Sequence, residues 1–273
     1  MIKNLLLAAS LVLGLSGAAF ADKSAPLVFA TGVAGGKYDA AVTDYITRMG
    51  QRGYSNITKT NNNGSDAITL QACSGKADLW IAQVDALFAR FNEGCSLTPV
   101  ANFRTEVAVI LFPPDSEYDE LSDLSEKDVV ATDGIGSGTE LWFKTAQGIE
   151  QGDDGSKDSW SLAQSTESSV DQLNTMASFG DIQAAVLVRT QDSPDIQLLL
   201  DQGWTLGYLW DKDIDDQEFN NKPLYEAKKV TIEYSQGAKS TTNWVYDVRS
   251  FIGTTKAHAQ DRELRTDLAK AAQ

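Results

Sequence analysis

The chain of 273 residues carries 38 acidic against 23 basic side chains, one histidine and a formal net charge of −15. A surface of that sign repels phosphate backbones and anionic lipid, which excludes nucleic acid as an expected partner. The length suits one large domain or two modest lobes.

At the N-terminus, Lys3, the apolar run Leu5 to Leu15 and the A-x-A triplet Ala19-Phe20-Ala21 form the pattern of a secretory signal peptide. Residues 1–21 are therefore expected to be removed by cleavage before Asp22, leaving a periplasmic protein. The run is shorter than the roughly 20 apolar residues of a membrane span. Loss of Lys3 leaves 22 basic against 38 acidic residues, a net charge of −16. In an oxidising compartment the two cysteines, Cys73 and Cys95, are expected to form a structural disulfide. Closing that loop is worth about 3 kcal/mol in the chain-entropy picture. Metal binding, the rival role, lacks further Cys or His nearby.

Leu27 to Thr31 predicts a buried strand that runs into Gly32-Val33-Ala34-Gly35-Gly36. Tyr38, Ala41, Val42, Tyr45, Ile46 and Met49 recur at steps of three and four, which predicts a helix stopped by Gly50. An Asn-rich turn from Asn61 to Gly64 leads to a helix over 66–74, with Ser65 as its N-cap and Gly75 as its stop. Ala77 to Gln83 predicts a strand, and Asp85 opens a short helix ending near Gly94. Val107 to Phe112 is a strongly apolar strand closed by Pro113-Pro114.

A second unit repeats this grammar, although no tandem repeat stands out. Val129 to Thr132 predicts a strand, residues 133–138 its glycine-rich loop, and Thr139 the start of a helix. A helix over 168–178 is broken by Gly180, and Ala184 to Val188 returns as a strand. Helix over 194–202, extended chain over 205–210, an acidic loop over 211–221, strands at 230–234 and 244–248 and a helix over 257–271 complete the pattern. Strands alternating with helices predict an α/β fold with mixed sheets flanked by helices.

A glycine-rich turn between strand and helix lets a ligand approach the backbone, where free helix N–H groups bind an anion. Two such turns, Gly32 to Gly36 and Gly134 to Thr139, predict a cleft gripped from both sides, at the carboxyl ends of strands. Gly32 to Lys37 lacks the spacing of a phosphate-binding P-loop, and Tyr38 stands where a magnesium-binding Ser or Thr is required. In Gly134-Ile135-Gly136-Ser137-Gly138 glycine directly precedes the serine, so this is no nucleophile elbow. The segment from Asp211 has Asp216 and Lys222 where a calcium loop needs Gly and Glu. His258 lies in the predicted terminal helix, and no Ser-His-Asp set has a plausible context. No catalytic residue, metal or cofactor is expected, and an enzyme stands as the minor alternative.

Several short motifs occur in order. They are Thr31-Gly32-Val33-Ala34-Gly35-Gly36-Lys37-Tyr38, Gly64-Ser65, Gly75-Lys76-Ala77-Asp78-Leu79 and Gln83-Val84-Asp85. Asp123-Leu124-Ser125-Glu126-Lys127, Gly136-Ser137-Gly138-Thr139 and Gly180-Asp181-Ile182-Gln183-Ala184 follow. By this set the chain resembles the TAXI family of solute receptors of TRAP transporters, within the type II periplasmic solute-binding superfamily. It departs from the family in being short, in Ala34 and Lys37, and in Gln183 where the family has Asp. The resemblance implies two α/β lobes with a ligand cleft between them, residues 22–108 plus 207–273 forming one and 109–206 the other. It implies closure around a small anionic, carboxylate-bearing metabolite and delivery to the membrane permease of a TRAP-type transporter. An ABC-type receptor or a ligand-sensing periplasmic subunit is the near alternative.

The candidate ligand contacts of the first lobe are Gly35, Gly36, Tyr38, Asn63, Ser65, Gln83 and Asp85. Backbone at Gly35 and Gly36 would hold a carboxylate and Gln83 a polar group. Tyr38 would wall the pocket or pack in the core, Ser65 would cap or contact, and Asp85 would contact or merely start its helix. In the second lobe Ser137, Gly138 and Thr139 offer a helix N-terminus and hydroxyl donors. Arg189 offers a bidentate partner for a carboxylate, or a surface arginine. Trp142 and Phe143 would stack on the ligand or fill the core.

Overall fold

A computed structural model of the chain describes residues 22–152 and 158–273. The expected leader and its cleavage site lie outside the described residues. No helix among the described residues is long and apolar enough to cross a membrane.

Two βαβαβ units carry the fold. The first comprises β1 (Leu27–Thr31), α1 (Lys37–Gly50), β2 (Ile57–Asn61), α2 (Gly64–Cys73) and β3 (Leu79–Gln83), followed by α3 (Val84–Asn92). The second comprises β5 (Val129–Thr132), α4 (Gly138–Gly152), β6 (Gln164–Glu167), α5 (Val170–Ser178) and β7 (Ala184–Arg189), followed by α6 (Pro194–Asp201). In each unit the first strand lies between the other two, all parallel. The third strand of each, β3 or β7, is flanked outward by a long antiparallel strand: β10 (Lys239–Thr255) beside β3 and β4 (Leu97–Phe112) beside β7. Since β4 and β10 also pair with each other, the sheet runs β2-β1-β3-β10-β4-β7-β5-β6 without a break. Short β8 (Thr205–Leu206) adds to β4, and β9 (Glu226–Tyr234) adds to β10.

The apolar pattern explains these elements. Every residue of β3 is buried, as in a parallel strand covered on both faces. Helix α1 buries Val42, Tyr45 and Met49, and α4 buries Trp142, Phe143 and Ala146, so each lays one stripe on the sheet. Trp142 and Phe143 are core residues, fully buried with Trp160, Val186 and Tyr246. Cys73 and Cys95 form the expected disulfide, with Cα atoms 5.9 Å apart, and join the end of α2 to the turn after α3.

Two expectations change. Strand β4 begins at Leu97, ten residues before its apolar stretch, and β10 is similarly long. Their outlying halves are only partly buried, so they lack the continuous apolar run that marks 107–112. The last helix, α8 (Arg262–Ala271), starts later than predicted because β10 extends to Thr255 and a one-turn helix, 256–258, intervenes. Val230, Ile232 and Val245 pack with Val107, Val109, Leu173 and Ile196, so β9 and the first half of β10 join the second core. Of the segment 207–273, Ile252, Leu264, Leu268 and Ala271 join the core around Phe29 and Tyr45, with Ala272 packed against it.

Candidate functional site

The two glycine loops are built alike, residue for residue, over 31–39 and 132–140. Gly35 and Gly136 take φ of +77° and +79°, a left-handed backbone that favours glycine. In each loop the next residue closes a turn, Gly36 N–H donating to Val33 O at 3.0 Å and Ser137 N–H to Gly134 O at 2.9 Å. In each, a carboxylate in the helix's first turn accepts from the left-handed glycine. Asp39 Oδ2 takes Gly35 N–H at 2.9 Å, and Glu140 Oε2 takes Gly136 N–H at 3.1 Å. Asp39 also meets Lys59 and Asn61, and the Lys59 bond first, then the Gly35 N–H, pull its pKa down to about 2. The N–H groups of Lys37 and Tyr38, and of Gly138 and Thr139, make no hydrogen bond within the described residues.

These loops face each other across a cleft of about 820 Å³, within the range of small-molecule sites. Its lining includes Gly36, Tyr38, Asn63, Ser65, Gln83, Ser137, Gly138, Thr139 and Arg189. The two sides touch, since Gly64 lies against the backbone carbonyl of Gly136 and Gly138 against the side chain of Gln83. A second hollow of about 710 Å³, lined by Phe88, Thr145, Ile149 and Lys212 among others, contains none of the candidate residues. In a third hollow Glu150, Asp211 and Asp213 bring carboxylate oxygens within 4.8 Å of one another, the arrangement best suited to a cation among the described residues. Asp211 there caps a short helix, α7 (Lys212–Asp216), accepting from Asp213 and Ile214 N–H.

Several candidates do not have the role expected of them. Arg189 lines the cleft, but its fork grips Asp133 through both terminal nitrogens, at 2.8 and 2.9 Å, while Nε donates to Asp195 at 2.8 Å. Its charge is thus met from within. Thr139 is buried, and its hydroxyl donates to Asp133 Oδ2 at 2.5 Å and accepts from Val188 N–H at 3.0 Å. Ser65 is not the N-cap. Asn63 precedes the helix, and Ser65 Oγ accepts from Gln83 N–H at 3.2 Å, fixing the end of β3. Asp85 lies outside the cleft, wholly buried near Tyr225, and desolvation pushes its pKa up to about 7. Gly35 shapes its loop without lining the cavity. Tyr38 does both things considered for it, lining the cleft and stacking edge-on to Phe103 at 5.7 Å. His258 bonds Asp78 at 3.0 Å and takes no part.

Sequence reasoning missed Lys37, Arg104, Glu106, Asp133, Glu167 and Asp195, all on the cleft wall. Glu106 is buried, which raises its pKa against the pull of Arg104, whose Nη2 stands 2.7 Å from Oε1. Arg104 also lies over the Tyr38 ring at 5.4 Å. With Arg104 and Arg189 both paired, the wall is a balanced polar surface rather than a cationic well.

No protein-family model matches the chain. No curated protein matches it in sequence. Its fold does match solved structures. The substrate-binding protein of an amino acid ABC transporter shares 14% identity over 91% of this chain and 92% of that one, with a TM-score of 0.50. A Xanthomonas citri protein bound to ATP shares 13% over 91% and 82%, with a TM-score of 0.53. The periplasmic aliphatic sulphonate binding protein of Escherichia coli shares 14% over 91% and 73%, with a TM-score of 0.50. The chain therefore has the two-lobed α/β fold of periplasmic binding proteins, with the cleft between its lobes.

Proposed function

We propose that the chain is an exported receptor that closes its two lobes on a small solute and hands it to a membrane transporter. The observation that carries this reading is the pair of matched loops, each with free helix N–H groups, meeting across one cleft of about 820 Å³. Solved proteins of the same fold, named as amino acid and sulphonate receptors, support a solute with an acidic group. The acidic group is taken by N–H donors at Gly138 and Thr139 and the hydroxyl of Ser137, with Lys37, which makes no ion pair among the described residues, on the cleft wall. Arg189 instead holds Asp133, and through it Thr139, in place.

The ordered motifs make a TRAP permease of the TAXI type the favoured partner. The ABC transporter receptor among the fold neighbours favours an ABC permease as the second reading. The test is a thermal-shift panel of acidic amino acids, 2-oxo acids, dicarboxylates, sulfonates and phosphate, followed by calorimetry. A solute at a hundred times its Kd adds about 2.7 kcal/mol of stability. Ser137→Ala is expected to weaken binding of that solute in a protein that still folds, with a stability loss of about 1 kcal/mol because Ser137 Oγ also accepts from Glu140 N–H at 3.2 Å. Turnover of any of these solutes on incubation, or no shift with any of them, overturns the receptor reading.

A further inference from the structure

We infer that the cleft selects acids bearing a hydrogen-bond donor on the carbon beside the carboxylate, 2-amino and 2-hydroxy acids over their 2-oxo counterparts, and that Gln83 makes the selection. The inference rests on the receptor reading above. Gln83 closes β3, lines the cleft and is only 3% exposed. Its Nε2 donates to Glu106 Oε2 at 3.4 Å, and Glu106 is a buried carboxylate held by Arg104. Turning the amide over would set the carbonyl oxygen of Gln83 against the carboxylate of Glu106, two acceptors without a proton between them. The pair Arg104–Glu106 therefore fixes the amide with Oε1 directed at Gly138, the first residue of α4. In that position Oε1 is buried and has no hydrogen-bond partner among the described residues.

Two complementary needs thus stand side by side. The N–H groups of Gly138 and Thr139 lack an acceptor, and Gln83 Oε1 lacks a donor. A carboxylate satisfies the first, and an ammonium or hydroxyl on the adjacent carbon satisfies the second. A 2-oxo acid presents a lone pair to Oε1 instead, leaving a buried acceptor unmet. Sites built around such a bond reject the analogue without it strongly.

The experiment is calorimetry on the purified protein with matched series, each sharing one carbon skeleton. L-alanine, L-lactate and pyruvate form one series, L-glutamate, L-2-hydroxyglutarate and 2-oxoglutarate another, and L-leucine with its hydroxy and oxo forms a third. In whichever series binds, the amino or hydroxy member is expected to bind at least about tenfold tighter than the oxo member. Gln83→Leu, with Gln83→Met as the second variant, should bring the members within about threefold while the melting temperature holds. A wild-type protein that binds the oxo member equally or better overturns the inference, without recourse to any variant. So does a preference that survives in either folded variant. Binding without preference sinks this inference alone, whereas no binding by any series sinks the receptor reading for these acids as well.

Discussion

Asp85 sits at the foot of α3, wholly buried beside the buried Tyr225, with one carboxylate oxygen accepting from Ala86 N–H at 2.8 Å. Loss of hydration raises its pKa from 3.8 to about 7. The folded protein keeps a proton that the unfolded chain releases near the ordinary value. The stabilising effect of Asp85 is therefore complete below pH 3.8 and is lost as pH rises through about 7. Asp85→Asn keeps the shape and removes the titration. Urea unfolding of wild type and variant should show the variant gaining about 2–3 kcal/mol relative to wild type between pH 5 and pH 8. Parallel curves across that range would mean Asp85 stays ionised in the fold. At this scale the sequence disclosed which residues stand at loop ends, and Gly36, Gln83, Ser137 and Gly138, named on that ground, line the cleft. It did not disclose engagement. Arg189 and Thr139 look like donors until Asp133, Asp195 and the Val188 N–H, brought together only by the folded sheet, are seen to hold them.

Among the elements, the strand–loop–helix units were legible because their strands are apolar and their helices striped, whereas β2 and β6 were not. Both lie at sheet edges, and the sequence Gln-Ser-Thr-Glu of β6 has no apolar alternation to mark it. The near halves of β4 and β10 escaped for the same reason, and with them Arg104, just before the buried half of β4, and Glu106, the polar residue that opens it. The α2–α3 pair illustrates how a helix start is kept in place. The front of α2 carries Asn63, Gly64 and Ser65 into the cleft, while its end is tied by Cys73 to Cys95 and its Asp66 is held by Arg90 of α3 at 2.7 Å. The bridge spans 22 residues. Replacing both cysteines by serine should lower unfolding free energy by about 3 kcal/mol. Urea titration of oxidised wild type and the double variant measures this. A loss under about 1 kcal/mol would place the stabilisation in the helix packing rather than in the closed loop.

At the scale of the whole molecule, β4 and β10 are the two strands that pass between the cores, and their pairing slips twice where they do so. Ser250 opposes Arg104 and Phe251 opposes Asn102, leaving Phe103 as an extra residue, and a second shift follows between Ile252 and Gly253. Such bulges bend a strand and loosen its ladder, which suits a hinge at the floor of a cleft. At the rim of the cleft backbone meets backbone. Gly64, at φ +84°, lies so close to the Gly136 carbonyl that no Cβ fits between them. Gly75, at φ +71° beyond the other end of α2, has open space around it. Alanine at either position incurs the same left-handed strain, about 1–2 kcal/mol, but only Gly64→Ala holds the lobes apart. Apparent affinity scales with the fraction of molecules able to close. Gly64→Ala is therefore expected to weaken the solute found in the thermal panel by at least about tenfold, and Gly75→Ala by less than twofold. Small-angle scattering with saturating solute should give Gly64→Ala a larger radius of gyration than Gly75→Ala at equal loss of stability. Equal affinities in the two variants would show that the contact between the two glycine loops contributes nothing to capture, and that the lobes grip the solute without meeting.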